Sequence, residues 1–533
     1  MGRIETFIKN NFRDILFYVI LVFNLSVLFG TKYIPTLDGG AHCYNAKIVG
    51  SLLTDSQSFY SSFFKMNPEA VPNWFTGGLL SVMNSFLSPE TTEKITLFLF
   101  FLFFPILFKR VVDYYAQFKS YIVLLVFPFT HFALVYYGFF NFSYGIVFCL
   151  LGISYWSRNF DNLTVKRLLV FSLICLCAYF SHLFSLITLL LFCGLKEVYE
   201  AVDAVFVRES KTQIKKQLVI SFLRSLKLFA CALIPLILTY IYFSKRPSAG
   251  LEQYNDTTTL NNMLTEGNIF KSFSPTEDYT AKTFFYVFCA LTLYSIISRI
   301  VEATLVRNRT VAFKRQDVFF YCSAVMLYLF YTQPDNDGYG AFISIRLALY
   351  SFIFMSLWLA CNKYDGAVKI TASLVLIINL HFFIGVKKDS IKWLNAELKK
   401  MDGVTARIKE GSIVVPLNFA DYNWLGAHYS NYLGARKKII VTENFEASTG
   451  YFPVLWKDHQ LAFYLGSCPI SIEECNTFLN KLNNYPGGKV GYIFVYGERT
   501  DLEFYNKTME GIRKDYVPVY SYQNVFLYER IKK

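Results

Sequence analysis

The sequence predicts a polytopic α-helical membrane protein, with about 11 transmembrane helices and a small C-terminal α/β domain outside the membrane. Three observations predict it. Of 533 residues, 54% are hydrophobic and 19% aromatic, with 55 Phe and 38 Tyr, and only 17% are charged. Apolar runs approaching the ~20 residues that cross a bilayer recur through the first three quarters of the chain. From about Lys387 the pattern changes to short β-type runs and helix-like stretches punctuated by Pro and Gly. The formal net charge of +13 would point to nucleic acid in a soluble chain. Here the basic residues collect in short loops between apolar runs, where they set orientation, so no nucleic-acid partner is expected.

Taken in order, the candidate spans lie near 14–32, 94–110, 120–137, 140–156, 167–181, 183–196, 218–243, 282–300, 317–332, 343–361 and 369–386. The first lacks a small-residue cleavage site and is expected to stay as an anchor. Leu168 to Leu195 is one unbroken apolar run, and charge divides it. A single helix would place Lys196, Arg208, Lys211, Lys215 and Lys216 outside, whereas a hairpin at Ser181-His182 places them inside with the other basic loops. Those inner loops then hold Arg3, Lys9 and Arg13; Lys109, Arg110 and Lys119; Arg158, Lys166 and Arg167; Arg299, Arg307, Arg309, Lys314 and Arg315; and Lys363 and Lys369. The outer loops keep only Lys47, Lys65, Lys245, Arg246 and Lys271. The expected localisation is therefore an integral, multi-pass protein of the bacterial inner-membrane type, with a cytoplasmic amino terminus. The long loop 33–93 and the carboxy-terminal part are extracytoplasmic.

The expected division is a membrane domain, 1–386, and an α/β domain, 387–533. In the latter, Ser412 to Leu417, Lys438 to Glu443, Val490 to Tyr496 and Val525 to Arg530 read as strands, and Ile472 to Leu482 and Asp501 to Arg513 as helices. Of 11 cysteines only Cys468 and Cys475 fall there, and pairing and two free thiols are both open.

The chemistry concentrates in Leu37-Asp38-Gly39-Gly40-Ala41-His42-Cys43-Tyr44-Asn45, directly after the first span. With a helix starting near Gly39, Asp38, His42 and Asn45 stand at i, i+4 and i+7 and share one face. A carboxylate, an imidazole and an amide then converge just outside the membrane, where a base can meet a substrate delivered on a lipid. Asp before Gly-Gly is equally a good helix N-cap, and capping alone explains the residue type.

This layout, a first span, an outer loop opening on an acidic motif, further short-looped spans and a terminal outer domain, resembles the GT-C superfamily of integral membrane glycosyltransferases. Protein O-mannosyltransferases, the aminoarabinose transferases of lipid A and oligosaccharyltransferases belong to it. The resemblance extends over the whole chain in layout. Those families carry Asp-Glu or Asp-Asp in the first loop, whereas Gly39 follows Asp38 here. It implies a sugar donor on a polyprenyl phosphate, inverting transfer outside the cytoplasm, and a glycan, lipid or protein acceptor. No cofactor follows with certainty, and a divalent cation stays open.

A phosphate on a lipid is already a good leaving group, so such an enzyme needs a base for the acceptor and cations for the phosphate. Asp38 is the candidate base. Arg346, in Ile343-Ser344-Ile345-Arg346-Leu347, is the candidate phosphate ligand, about one turn inside the outer end of the tenth span; a snorkelling arginine that meets only lipid explains it equally. His42, Asn45, Asn141 and His182 complete the candidate substrate-binding set. Asn141 falls in an expected outer turn, where turn propensity accounts for it, and His182 at the hairpin tip. Asp335-Asn336-Asp337-Gly338 reads as a turn rather than a cation loop. His131 and His381, inside apolar spans, are expected to be satisfied between helices. The aromatic segments Tyr422-Asn423-Trp424 and Tyr451-Phe452-Pro453 are expected to pack the small domain.

Alternative readings are an oligosaccharide ligase of the same superfamily, a non-enzymatic membrane scaffold, and a transporter. Transport is disfavoured, because the charges avoid mid-membrane depth and no duplicated halves are visible.

Overall fold

The computed structural model describes residues 2–207, 211–245, 252–273, 275–306, 314–338, 340–458, 460–461, 464–465 and 468–532. Arg208, Arg246, Arg307 and Arg309 of the charge pattern lie outside them. The chain divides into two compact units. One comprises Met1–Phe29, Phe98–Val135 and Asn141–Lys388; the other comprises Gly30–Leu97, Tyr136–Phe140 and Asp389–Lys533. The start of the terminal domain thus falls two residues from the expected division, while residues 30–97 and 136–140 belong to the second unit.

The first unit is helical. Among the described residues of the chain, six helices are long and apolar enough to cross a membrane: Asn11–Leu28, Pro89–Ala116, Lys211–Ser244, Asp278–Thr304, Ile343–Ala360 and Gly366–Arg407. Two of these, Lys211–Ser244 and Asp278–Thr304, bury only 17% of their most apolar stretch. Phe222, Phe229, Ile234 and Tyr240 are left exposed on the first of them. An apolar face of that extent matches hydrocarbon rather than water. The third expected span departs from a regular helix. Tyr121–His131 is 3-10 helix and only Ala133–Tyr136 is α-helical, with Pro128 inside the 3-10 stretch removing an N–H from the ladder.

Helices Val165–Ser181 and Leu183–Val207 are separated by His182 alone, whose extended backbone (φ −163°, ψ 131°) ends the first. His131 contacts Asn24 Oδ1 through Nε2 at 2.9 Å, satisfied between helices as expected, whereas His381 is exposed and stacks its ring on Phe23. Among the basic loop residues, Arg13 pairs with Asp113 at 2.7 Å and Arg299 with Asp317 at 2.6 Å. Asp337 accepts the backbone N–H of Gly340, as a turn requires, and Asp335 accepts that of Ser344, nine residues on.

In the second unit a five-stranded sheet has the order β3-β2-β5-β7-β6. Its members are β2 (Ile413–Asn418), β3 (Ile440–Val441), β5 (Tyr492–Tyr496), β6 (Tyr516–Tyr522) and β7 (Val525–Arg530). β2 pairs in parallel with β3 and β5, and β7 pairs antiparallel with β5 and β6. The helices Ile472–Asn483 and Glu503–Arg513 fall where expected. Ser471 caps the first by accepting from Glu474 N, while Glu474 accepts from Ile470 N. A second, small sheet pairs β1 (Phe64–Met66) of the long loop with β4 (Val454–Trp456). The Gly39–Thr54 helix seats on the sheet edge, where the Tyr44 hydroxyl donates to Ile439 O at 3.0 Å and accepts from Val441 N at 3.2 Å. Cys468 and Cys475 are free thiols, which leaves the unpaired alternative.

Candidate active site

Asp38 occupies the N-cap position of the Gly39–Thr54 helix, yet its side chain makes no capping hydrogen bond. The turn is held through the backbone instead. Leu37 N and Asp38 N donate to the carbonyls of Tyr136 and Tyr137 at 3.0 and 3.2 Å, and His42 N donates to Asp38 O at 2.9 Å. Relief from capping leaves the carboxylate available for chemistry. Gly39 and Gly40 are dictated by their neighbours. A Cβ at 39 would fall 1.9 Å from Glu93 Oε1, and one at 40 would fall 2.9 Å from Tyr432 Cδ2. Glu93 fills the first space, accepting from Thr36 Oγ1 at 2.9 Å and from the Tyr432 hydroxyl at 2.5 Å. A second acidic side chain directly after Asp38 has no room.

The helix places His42 one turn on, as its spacing predicted. Its Nε2 lies 2.8 Å from Gly138 O and its Nδ1 2.7 Å from Glu446 Oε1. A carbonyl only accepts, so Nε2 carries a proton, and the carboxylate favours a second proton on Nδ1. Burial would lower the His42 pKa, but the charge and hydrogen bond of Glu446, then the charge of Asp38, carry it up to about 9. Asn45 completes this side. Its Nδ2 donates to Glu446 Oε2 at 2.7 Å and to Asn444 Oδ1 at 3.0 Å, and Asn444 donates back at 2.7 Å. His42 and Asn45 therefore position their surroundings instead of presenting free polar atoms.

Opposite stands His428, whose Nε2 is 3.9 Å from Asp38 Oδ1. Its Nδ1 is hydrogen-bonded to Glu443, and its ring stacks on Phe445 at 4.4 Å. Glu443 is fixed by Ser430 Oγ at 2.5 Å and Asn431 Nδ2 at 2.9 Å. Burial works against the His428 cation, but the hydrogen bond and charge of Glu443 and the charge of Asp38 raise its pKa overall. Between these groups, burial raises the Asp38 carboxyl to about 7. The positive charges of His42 and His428 oppose the rise, while Glu446 and Glu443 add to it. A carboxylate half-protonated at neutrality is suited to general-base work.

No family model and no characterised protein sequence matches this chain.

Of the six expected site residues, Asp38, His42 and Asn45 come together in the second unit. Asn141, His182 and Arg346 belong to the first unit. Asn141 is the second residue of the Phe140–Asn159 helix and buried, which corrects its expected place in a turn. His182 and Arg346 both border Phe142: the His182 ring packs edge-on at 5.2 Å, and the guanidinium lies 5.6 Å from the same ring. His182 Nδ1 accepts from Phe184 N at 3.2 Å.

The aromatic segments also depart in part from expectation. Asn423 is buried and donates to the Tyr496 hydroxyl at 2.9 Å, but Tyr422 is 55% and Trp424 46% exposed. Phe452 packs near the His42 ring at 5.9 Å. Gly138, His428, Glu443 and Glu446 escaped sequence reasoning. The paired carboxylates of Glu443-Asn444-Phe445-Glu446 just after a strand were the available signal. Among the described residues no group of three or more His, Cys, Asp and Glu side chains is arranged to hold a metal ion. Asp38, Glu443 and Glu446 each face an imidazole instead, so these side chains do not fit the divalent cation that the motif left open.

Proposed function

We propose that the protein is an integral membrane glycosyltransferase, moving a sugar from a polyprenyl-phosphate carrier to an acceptor on the extracytoplasmic side with inversion. One observation carries the reading: Asp38 is a half-buried carboxylate, freed from capping, whose pKa of about 7 sits between two imidazoles and two further carboxylates. Its carboxylate takes the proton of an acceptor hydroxyl or amine as that atom bonds to the anomeric carbon. The bond from that carbon to the carrier phosphate oxygen breaks, and the phosphate leaves with the electron pair. His42, held as a cation by Glu446 and Gly138, keeps Asp38 partly ionised. Arg346 is the candidate ligand of the carrier phosphate on its side-chain chemistry alone. The reading takes the eleven-span topology with it, because the motif must face the side on which the carrier presents its sugar.

The test is Asp38→Asn. Asn is nearly isosteric and keeps the turn, which is built from backbone hydrogen bonds. Removing a general base typically costs on the order of a hundredfold or more in rate. The variant is expected to insert and fold normally and to accumulate the lipid-linked donor, as seen by mass analysis of membrane lipids. An Asp38→Asn protein with the parental transfer rate would overturn the assignment.

A further inference from the structure

The terminal sheet carries a second feature that the Asp38 chemistry does not use. Chain order and strand order disagree around β2: the connection leaving β2 runs to β3 on one side, and the next returns past β2 to β5 on the other. Parallel crossovers are right-handed, so two connections running in opposite directions cover opposite faces of the sheet. They part at the carboxyl end of β2, and open α/β sheets bind ligands in the crevice at such a point.

A cavity of about 530 Å³ lies there, within the range of small-molecule sites. Its walls include the ends of the three parallel strands (Asn418, Thr442, Tyr496) and both connections (Ser430 on one, Phe478 on the other). Glu443 forms part of the wall, and the same carboxylate bonds His428, whose far nitrogen is 3.9 Å from Asp38. One imidazole ring therefore separates the cavity wall from the candidate base. No Lys, Arg or His is among the described residues that line it. An anionic ligand would meet the Glu443 carboxylate, with no cationic side chain among the described lining residues to hold it. Aromatic rings with hydroxyl, amide and carboxylate groups suit a ligand with apolar C–H faces and many hydroxyls.

We propose that this cavity is the acceptor pocket of the transferase and that it binds a neutral sugar unit. The proposal rests on the transferase reading but is tested apart from it. The full chain, purified in a non-sugar detergent, is titrated with neutral disaccharides of hexose and N-acetylhexosamine and with the corresponding uronic acids, followed by saturation-transfer NMR. Neutral disaccharides are expected to bind at least tenfold tighter than the uronic acids. Cys468 and Leu465 also line the cavity, and filling it with Cys468→Trp, or independently with Leu465→Trp, is expected to abolish that binding. Equal binding of neutral and uronic sugars, or neutral binding unchanged in a folded filled variant, overturns the pocket. Neutral binding lost on filling, together with parental transfer in Asp38→Asn, overturns the transferase reading and leaves the pocket standing as a sugar site.

Discussion

At the residue scale the site is a balance of charges, and His42 sets it. Its folded pKa of about 9 lies above the ordinary value of 6.5. The stability it contributes is therefore fully present below about pH 6.5 and is lost as pH rises through about 9. Thermal unfolding of the parent and of His42→Gln should differ most below pH 6.5, with the gap closing by about pH 9. Asp38 gives a pH slope of the same sign, in a lower window. Its folded pKa is raised from 3.8 to about 7, so the folded state holds a proton that the unfolded chain has lost, and stability falls as pH climbs between those values. A base must be ionised, so transfer should rise with pH through about 7 and then level. Because the His42 charge lowers the Asp38 pKa, His42→Gln should move that rising limb to higher pH. A pH–rate profile with an unmoved limb would show that His42 does not tune the base.

At the element scale the decisive piece is the five-residue segment Tyr136–Phe140, which supplies three carbonyls to the Asp38 turn and to His42. Gly138 is the only residue type suited to it. Its φ is +85°, and a Cβ there would come within 2.9 Å of both Asp38 Cβ and Asp38 N. Gly138→Ala should cost about 1–3 kcal/mol through backbone strain alone. Displacing Asp38 should then lower transfer by more than the melting temperature accounts for; an Ala variant with parental rate and stability would remove this segment from the mechanism. None of this was legible in the sequence. Helix spacing put Asp38, His42 and Asn45 on one face because it is a local, periodic property. His428, Glu443 and Glu446 come from almost 400 positions further on, and no local pattern reports which loop folds against which helix. The runs that hold β2, β3, β5 and β7 and both helices of the terminal sheet were readable from apolar patterning, but the seven-residue β6, Tyr516–Tyr522, was not. The three-residue strands β1 and β4 were not, being too short to show a period. Within the expected third span the 3-10 geometry of Tyr121–His131 was not legible either, although Pro128, which removes an N–H from the ladder, stands in the sequence.

At the scale of the whole molecule the question is which side of the bilayer each segment meets, and the reading of function depends on it. The run from Leu168 to Leu195 does break at His182, as two spans require. Two spans keep Lys211, Lys215 and Lys216 on the same side as Arg13, Lys109 and Arg158, in line with the bias of short loops toward cytoplasmic Lys and Arg. One span would reverse every loop that follows and bring the terminal sheet to the opposite side from residues 33–93. Those residues and the terminal strands belong to one compact unit, with β1 paired to β4. Strands that hydrogen-bond cannot lie on opposite sides of a membrane, so an even number of crossings must separate the first loop from the sheet. Lys65, Lys211 and Asn506 all have exposed side chains and serve as reporters. Single cysteines placed there in a cysteine-depleted chain, treated with a membrane-impermeant maleimide in intact cells, should react at 65 and 506. The cysteine at 211 should react only after permeabilisation. Labelling of 65 and 506 from different sides would contradict the β1–β4 pairing. Labelling of 211 from outside would remove the turn at His182 and the eleven-span count with it, and the carrier-facing position of Asp38 would then rest on the first span alone.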